Sequence, residues 1–261
     1  MIPKKIHYCW FGRKPLSELA IKCIESWKKY CPDYEIIEWN ENNFDINYCE
    51  YVKEAYDAKK WAFVSDVARL YVLVNYGGVY MDTDVEVLKS LDDILKYEAV
   101  SGFENEYSIP TGLMGCKKNQ ILFEELLREY DNIHFLKEDG TFDMTTNVTR
   151  ITNLCLKYGL KLNNTFQIVN GFALFPNDYF CPKDSLTKNI NLTENTYTIH
   201  HFDGSWLSAE MKYSRYLIKI FSKVLPIRLA NLIAVFVSRS KYQGIKKAIL
   251  DTNKYLKKSE R

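Results

Sequence analysis

One run constrains this chain more than any other: Gly77-Gly78-Val79-Tyr80-Met81-Asp82-Thr83-Asp84. A helical pattern over 50–75, with Val64, Val67, Ala68, Tyr71, Val72 and Val74 on a mostly buried face, meets its stop at Asn75-Tyr76-Gly77-Gly78, because glycine takes up the left-handed backbone that ends a helix at no steric cost. Val79-Tyr80-Met81 then reads as a compact apolar strand that runs straight into two carboxylates. In open α/β sheets, ligands bind outside the carboxyl ends of the strands. Asp82 and Asp84 face the same way in an extended chain and offer hard oxygen ligands for Mg²⁺ or Mn²⁺. An aspartate pair alone also describes a solvated turn. The preceding helix, with Asp66 and Arg69 on one face at i, i+3, sets this pair apart from such a turn.

The rest of the chain supplies the setting. Residues 5–11 form a short apolar run, followed by a helix with Leu16, Leu19, Cys23 and Trp27 in register, Ser17 as N-cap and Pro32 as stop. A second strand over 34–39 completes the cadence of a parallel βαβ unit. Further on, 99–103, 112–116, 172–175 and 196–202 read as strands, 119–131 and 145–158 as helices, and 104–111 as a loop. The expected fold is α/β. Across 261 residues the composition is 47% hydrophobic and 26% charged with 11 Gly and 7 Pro, which excludes disordered and collagenous classes. Seven cysteines without a C-x-x-C spacing exclude a zinc knuckle and a full disulfide framework, and predict reduced, buried thiols of a cytosolic protein. The N-terminus has no apolar signal-peptide core, and the longest apolar run, 229–237, is too short to span a bilayer. Asn147, Asn163 and Asn191 sit in Asn-x-Thr sequons that a cytosolic chain never uses.

With those residues in place, a resemblance emerges. Ser65-Asp66-Val67-Ala68-Arg69 followed by Gly77 to Asp84 resembles the S-D-x-x-R…G-G-x-Y-x-D-x-D block of glycosyltransferase family 32, the enzymes with a sugar-binding region containing a DXD motif. That family includes bacterial capsule and surface-polysaccharide transferases and is related to the glucosylating domain of the large clostridial toxins. The opening IPKKIHYCWFG resembles the family's first strand, and Ile199-His200-His201-Phe202-Asp203-Gly204-Ser205-Trp206 resembles its closing H-H-x-x-G-S-W signature, so the likeness spans roughly residues 1–208.

The resemblance implies a GT-A type, Rossmann-like mixed sheet flanked by helices, with a nucleotide-sugar across its carboxyl edge and Mn²⁺ or Mg²⁺ between the DXD and the diphosphate. By match, Asp84 ligates the metal, and Asp82 contacts the ribose or sugar and reaches the metal through water. Asp66 and Arg69 grip the donor sugar hydroxyls, Trp10 stacks on the base, and Tyr80 lies near the sugar. His201, which makes H-x-x-G with Gly204, ranks first of its neighbours for metal or diphosphate, ahead of Asp203 and His200. Ser205 and Trp206 cap the diphosphate. Where many relatives have Thr-Gly-Pro this chain has Thr145-Thr146-Asn147, with Asn147 expected to cap a helix or contact the sugar. The implied chemistry is retaining transfer of a hexose, from a UDP-linked donor, to a glycan hydroxyl on a lipid-linked surface-polysaccharide precursor. Two rival readings of the motif are a DXD phosphohydrolase, which wants Thr or Val where Glu86 stands, and a binding module that has lost transfer activity.

After residue 208 the composition turns over. Residues 209–261 hold 13 Lys+Arg against 3 Asp+Glu, a net +10, while 1–208 hold 22 against 30, a net −8. Tyr213, Tyr216, Leu217, Ile220, Phe221, Val224 and Leu225 follow a helical stripe, with Lys212, Arg215, Lys219 and Lys223 opposite. The tail is therefore expected to be a basic amphipathic helical appendage to a 1–208 catalytic domain. It is expected to rest on the anionic cytoplasmic face of a membrane and to bind no nucleic acid, since its aromatics form a packing stripe and no stacking platform.

Overall fold

A computed structural model describes residues 1–204, 207–250 and 252. The chain divides into two compact units, one of residues 1–183 with 190–202, the other of residues 184–189 with 203–261.

In the first unit, β1 (Lys5–Cys9) leads to α1 (Glu18–Tyr30) and β2 (Glu35–Trp39). The α1 start is set by Ser17, whose hydroxyl accepts the Ala20 N–H at 3.1 Å, satisfying one of the orphan donors of the first turn. Two helices follow, α2 (Glu50–Asp57) and α3 (Trp61–Tyr76), where periodicity alone predicts one. Lys59 sits at φ +56 and the Lys60 N–H reaches back to Ala55 O at 2.8 Å, a left-handed helix cap built on lysine, a residue that gives no sequence warning of it. Then come β3 (Gly78–Met81), β4 (Val85–Val87), β5 (Ala99–Gly102), β6 (Leu113–Cys116), α4 (Ile121–Arg128), α5 (Asn147–Lys157), β7 (Gln167–Val169), β8 (Phe172–Phe175), α6 (Asn177–Phe180) and β9 (Thr198–His200).

Seven strands make one mixed sheet in the order β2-β1-β3-β6-β5-β8-β7, and β4 and β9 pair as a separate antiparallel ribbon. β1 and β3 run parallel, with Ile6 opposite Val79 and His7 opposite Tyr80, while β6 returns antiparallel on the far side of β3. Helices cover both faces. Phe63, Val64, Val67 and Leu70 of α3, Phe123 of α4 and Ile151 of α5 pack in one core with Tyr80. Trp27 of α1, Ile94 and Phe180 pack in the other with Val79 and Met81. The strand alternation of β3 thus feeds both cores, and the expected α/β sheet flanked by helices is what the chain forms.

Gly77 and Gly78 do more than stop α3. Their φ values are +64 and +106, and a Cβ on Gly77 would lie 2.8 Å from the Lys118 nitrogen and one on Gly78 2.9 Å from the Lys5 carbonyl. The abrupt helix-to-strand turn that aims β3 between β1 and β6 admits no side chain at either position. All seven cysteines are free thiols. Burial raises several of them, Cys9 to about 12.

The second unit contains the helices α7 (Ala209–Phe221) and α8 (Ile227–Gln243). Among the described residues no helix is long and apolar enough to cross a membrane.

Candidate active site

β3 ends at Met81, and the next residues, Asp82 to Asp84, lie at the carboxyl edge of the sheet between the end of β1 and the start of β6. Asp82 is anchored through its own N–H, which donates to Gly112 O at 2.8 Å. Around it the side chains are organised by one buried cation. Arg69 extends from α3 with its Nη2 3.2 Å from Asp66 Oδ1 and its Nη1 3.2 Å from Asp82 Oδ1. Nη1 also donates to Thr111 O at 2.7 Å, and Nε to Ser65 O at 3.1 Å. The guanidinium carbon stands 4.6 Å from the centre of the Tyr80 ring, and the Tyr80 hydroxyl donates to Asp82 Oδ1 at 2.9 Å. Arg69 is only 5% exposed. Burial would lower its pKa, and the carboxylates of Asp82 and Asp66 with the Tyr80 phenol more than reverse that; the planar fork meets several acceptors at once, which a lysine could not.

Asp66 is held from the other side as well. The Asn147 N–H, at the start of α5, donates to Asp66 Oδ2 at 3.2 Å, and the Asn147 amide donates to Asp66 O at 2.6 Å. Asn147 Oδ1 accepts the Tyr130 hydroxyl at 2.6 Å. Asn147 is fully buried and its amide is spent inside the protein, so in this arrangement it orients Asp66. Burial raises the Asp66 carboxyl to about 6, with Arg69 and the Asn147 N–H pulling against that rise and Asp82 adding to it.

Asp84 meets the ribbon. β9 pairs with β4 so that His200 lies opposite Val85, and His200 Nε2 comes to 3.3 Å from Asp84 Oδ1. One ligand atom each of Asp82, Asp84 and His200 lies within 4.8 Å of the others. The spacing with Gly204 favours His201, but strand alternation turns His201 to the other side, where its Nε2 is 2.8 Å from Glu86 Oε2. Glu86 also takes Lys22 Nζ at 2.9 Å, and Lys183 Nζ stands 3.4 Å from His201 Nδ1. The structure therefore brings His200, not His201, to the aspartate pair. Burial alone would lower the His200 pKa, yet the Asp84 carboxylate and the Cys181 thiol carry it well above its ordinary value. A cation held on the same ligands would compete with a proton at this imidazole.

Gly112 forms the floor of this corner. A Cβ there would meet His200 Cε1 at 2.8 Å and Asp82 Oδ2 at 3.3 Å, so only bare backbone fits. Two carboxylates and an imidazole, each part-exposed at 28%, 17% and 13% of the side chain for Asp82, Asp84 and His200, suit a divalent ion of the Mg²⁺ or Mn²⁺ class with positions left for other oxygens.

Trp10 follows β1 at the same sheet edge, half-buried, its indole N–H donating to Lys14 O at 2.6 Å. Tyr80 is buried and spends its hydroxyl on Asp82. Asp203 belongs to the second unit. Ser205 and Trp206 lie outside the described residues. Residues that spacing did not single out are Thr111, whose carbonyl and hydroxyl both accept from Arg69 Nη1, Gly112, whose contribution is backbone, and Tyr130, which acts through Asn147.

The family described as glycosyltransferase sugar-binding region containing DXD motif matches residues 17–101. Inositol phosphoceramide mannosyltransferase 3 of Schizosaccharomyces pombe is 28% identical over 138 residues, 51% of this chain and 38% of that protein. Mannosyl phosphorylinositol ceramide synthase of Saccharomyces cerevisiae is 27% identical over 52% of this chain and 37% of its own length. An uncharacterized glycosyltransferase of Acanthamoeba polyphaga mimivirus is 26% identical over 79% of this chain and 84% of its own. The chain thus spans well under half the length of the two yeast relatives. Among solved structures, the PaToxG glycosyltransferase is similar at 19% identity and a TM-score of 0.45, over 60% of this chain and 68% of that one.

Proposed function

From a chain that is glycosyltransferase family 32-like, we propose a metal-dependent, retaining hexosyl transfer from a nucleotide-sugar, UDP-linked, to a hydroxyl of a lipid-linked glycan, on a GT-A type sheet edge. The observation that carries this reading is the meeting of Asp82, Asp84 and His200 within 4.8 Å beside the buried Asp66–Arg69 pair. Asp82, Asp84 and His200 are the residues that would hold Mn²⁺ or Mg²⁺, and such an ion supplies charge neutralisation for the departing nucleoside diphosphate.

The protein's own part is positioning. Arg69 and Tyr80 lock the Asp82 rotamer from two directions, so the carboxylate is set before any ligand arrives and costs no reorganisation later. Asp66, fixed by Arg69 and Asn147, presents its remaining lone pairs to donor-sugar hydroxyls. Trp10, at the neighbouring strand end, offers its ring to the nucleotide base. The departing phosphate serves as base toward the acceptor hydroxyl, with retention by front-face attack. Two relatives are named inositol phosphoceramide mannosyltransferase and mannosyl phosphorylinositol ceramide synthase, which supports a lipid-linked acceptor and makes mannose the first sugar to try. The net +10 of residues 209–261 supports work at the anionic cytoplasmic face of a membrane.

The test is incubation with UDP- and GDP-hexoses and Mn²⁺, reading nucleoside diphosphate release. Release with at least one donor, abolished by chelator, is expected. No release with any donor, together with phosphatase activity that depends on Asp82, overturns the proposal in favour of a phosphohydrolase.

A further inference from the structure

Helices α7 and α8 form an antiparallel hairpin. Gln243 Nε2 donates to Glu210 Oε2 at 2.7 Å and Lys241 Nζ lies 4.1 Å over the Tyr213 ring, so the end of α8 sits against the start of α7. The connecting turn over 222–226 is therefore at the opposite tip. Within this hairpin part of the expected stripe is used: Tyr213, Leu217 and Phe221, with Ile218 beside them, pack with Leu186, Ala234 and Val237, while Tyr216, Ile220 and Val224 stay exposed. The residues spent on a neighbouring helix cannot also lie in lipid.

Two exposed apolar groups remain in this unit, one at the 242–250 end with Ile245 at 64% and Leu250 at 59% exposed, the other at the tip, where the most exposed of them all, Val224, lies. Val224 is 81% exposed, Ile227 51%, Leu229 43% and Ile220 41%. Lys219, Lys223 and Arg228 are exposed among them. Pro226 opens α8 and fixes the turn's exit. From residue 211 to residue 250 the sequence has nine Lys and Arg and no Asp or Glu. A soluble acidic partner would explain the charge and leave the four aliphatics unexplained. A second copy of this unit would bring like charges together. A bilayer surface with anionic headgroups over acyl chains answers both features, lysine and arginine heads staying at the headgroups while aliphatics enter the acyl boundary.

We propose that the α7–α8 tip, through Ile220, Val224, Ile227 and Leu229 within a collar of Lys219, Lys223 and Arg228, inserts into the interface of an anionic bilayer. The mode is a wedge at a hairpin tip and differs from a helix lying flat. The inference rests on the membrane-surface part of the reading above and not on its transfer chemistry.

The test is flotation of the full chain with vesicles of phosphatidylcholine alone or mixed with phosphatidylglycerol. Binding to the mixed vesicles only is expected. The double variant Val224→Asp with Ile227→Asp should weaken it at least about tenfold, with far-UV circular dichroism unchanged because both side chains are exposed. Lys219→Gln with Lys223→Gln should weaken it less and reduce its salt dependence. Equal flotation by the double aspartate variant overturns the tip and leaves surface attraction standing. No flotation of the wild type, or a concentration-dependent dimer that the double variant splits, overturns the membrane reading itself.

Discussion

The sheet edge and the C-terminal hairpin are both rich in charge and treat it in opposite ways. At the edge, charges of both signs are buried and spent on protein partners: Arg69 serves Asp66, Asp82 and the Thr111 carbonyl at once. Over 211–250 the charges have one sign, and Lys219, Lys223 and Arg228 lie in solvent. Buried pairs of opposite sign cost desolvation and return geometry, whereas exposed charges of one sign return long-range attraction that salt erases. The contrast separates charges fixed among protein partners from charges left to solvent.

The sharpest way to break that contrast is Asp84→Ala, which removes a ligand without removing core volume. Nucleoside diphosphate release should fall at least about a hundredfold with the melting temperature unchanged or raised; unchanged turnover would remove Asp84 from the site. Next in size, Asp66→Asn should cost activity at every pH and gain stability at high pH only. Burial raises this carboxyl to about 6, above its usual 3.8. Its favourable contribution is therefore full below the unfolded pKa near 4 and is lost as pH rises through about 6. Melting curves of the variant and wild type should coincide near pH 4 and separate above pH 6, the variant melting higher. A variant that melts lower at pH 8 would mean that the ionised pair with Arg69 stabilises more than burial costs.

Tyr130→Phe is gentler. It leaves Asn147 Oδ1 buried without its donor, a loss of about 1–3 kcal/mol. Because Asn147 acts through Asp66, kcat should fall several-fold and more than a purely structural loss would cause, which donor-saturation kinetics at matched folded fraction would reveal. Smallest of all, Lys219→Gln should move stability by no more than about 0.5 kcal/mol in denaturant titrations. If it moved stability by several times that, the tail's charges would be structural after all.

How much of this could be read without coordinates depended on how local each signal was. Asp66 and Arg69 were legible because one helix turn fixes their spacing, and Asp82 and Asp84 because they follow an apolar strand; the pair stands in a turn closed by the Val85 N–H on Asp82 O at 3.0 Å and not in the extended chain that alternation assumes. The glycine stop at Gly77-Gly78 was equally local. The break at Lys59 was not, since it rests on a lysine at φ +56, a conformation lysine rarely adopts. β4 and β7 are three residues each and exist only by virtue of their partners. The choice between His200 and His201 could be narrowed to opposite faces by alternation, but which face meets Asp84 depends on the register of β9 against β4, a pairing between distant parts of the chain. Thr111 serves Arg69 across a gap of 42 residues and Gly112 contributes an absent side chain, neither of which leaves a local pattern in a sequence. The spacing of α7 marks an apolar stripe but not its partner: Tyr213, Leu217 and Phe221 pack with Ala234 and Val237 of α8, a contact between two helices that spacing within one of them does not encode.

The β4–β9 ribbon has a consequence in time as well as space. Its first strand is made soon after the aspartate pair and its second only near residue 200, so a nascent chain can close the central strands of the sheet well before His200 reaches Asp84. Non-local pairings of this kind form late because loop closure must precede them. On the function proposed above, an ion would find all three donors only once β9 has joined β4, and a product that ends before β9 would carry only Asp82 and Asp84 of them.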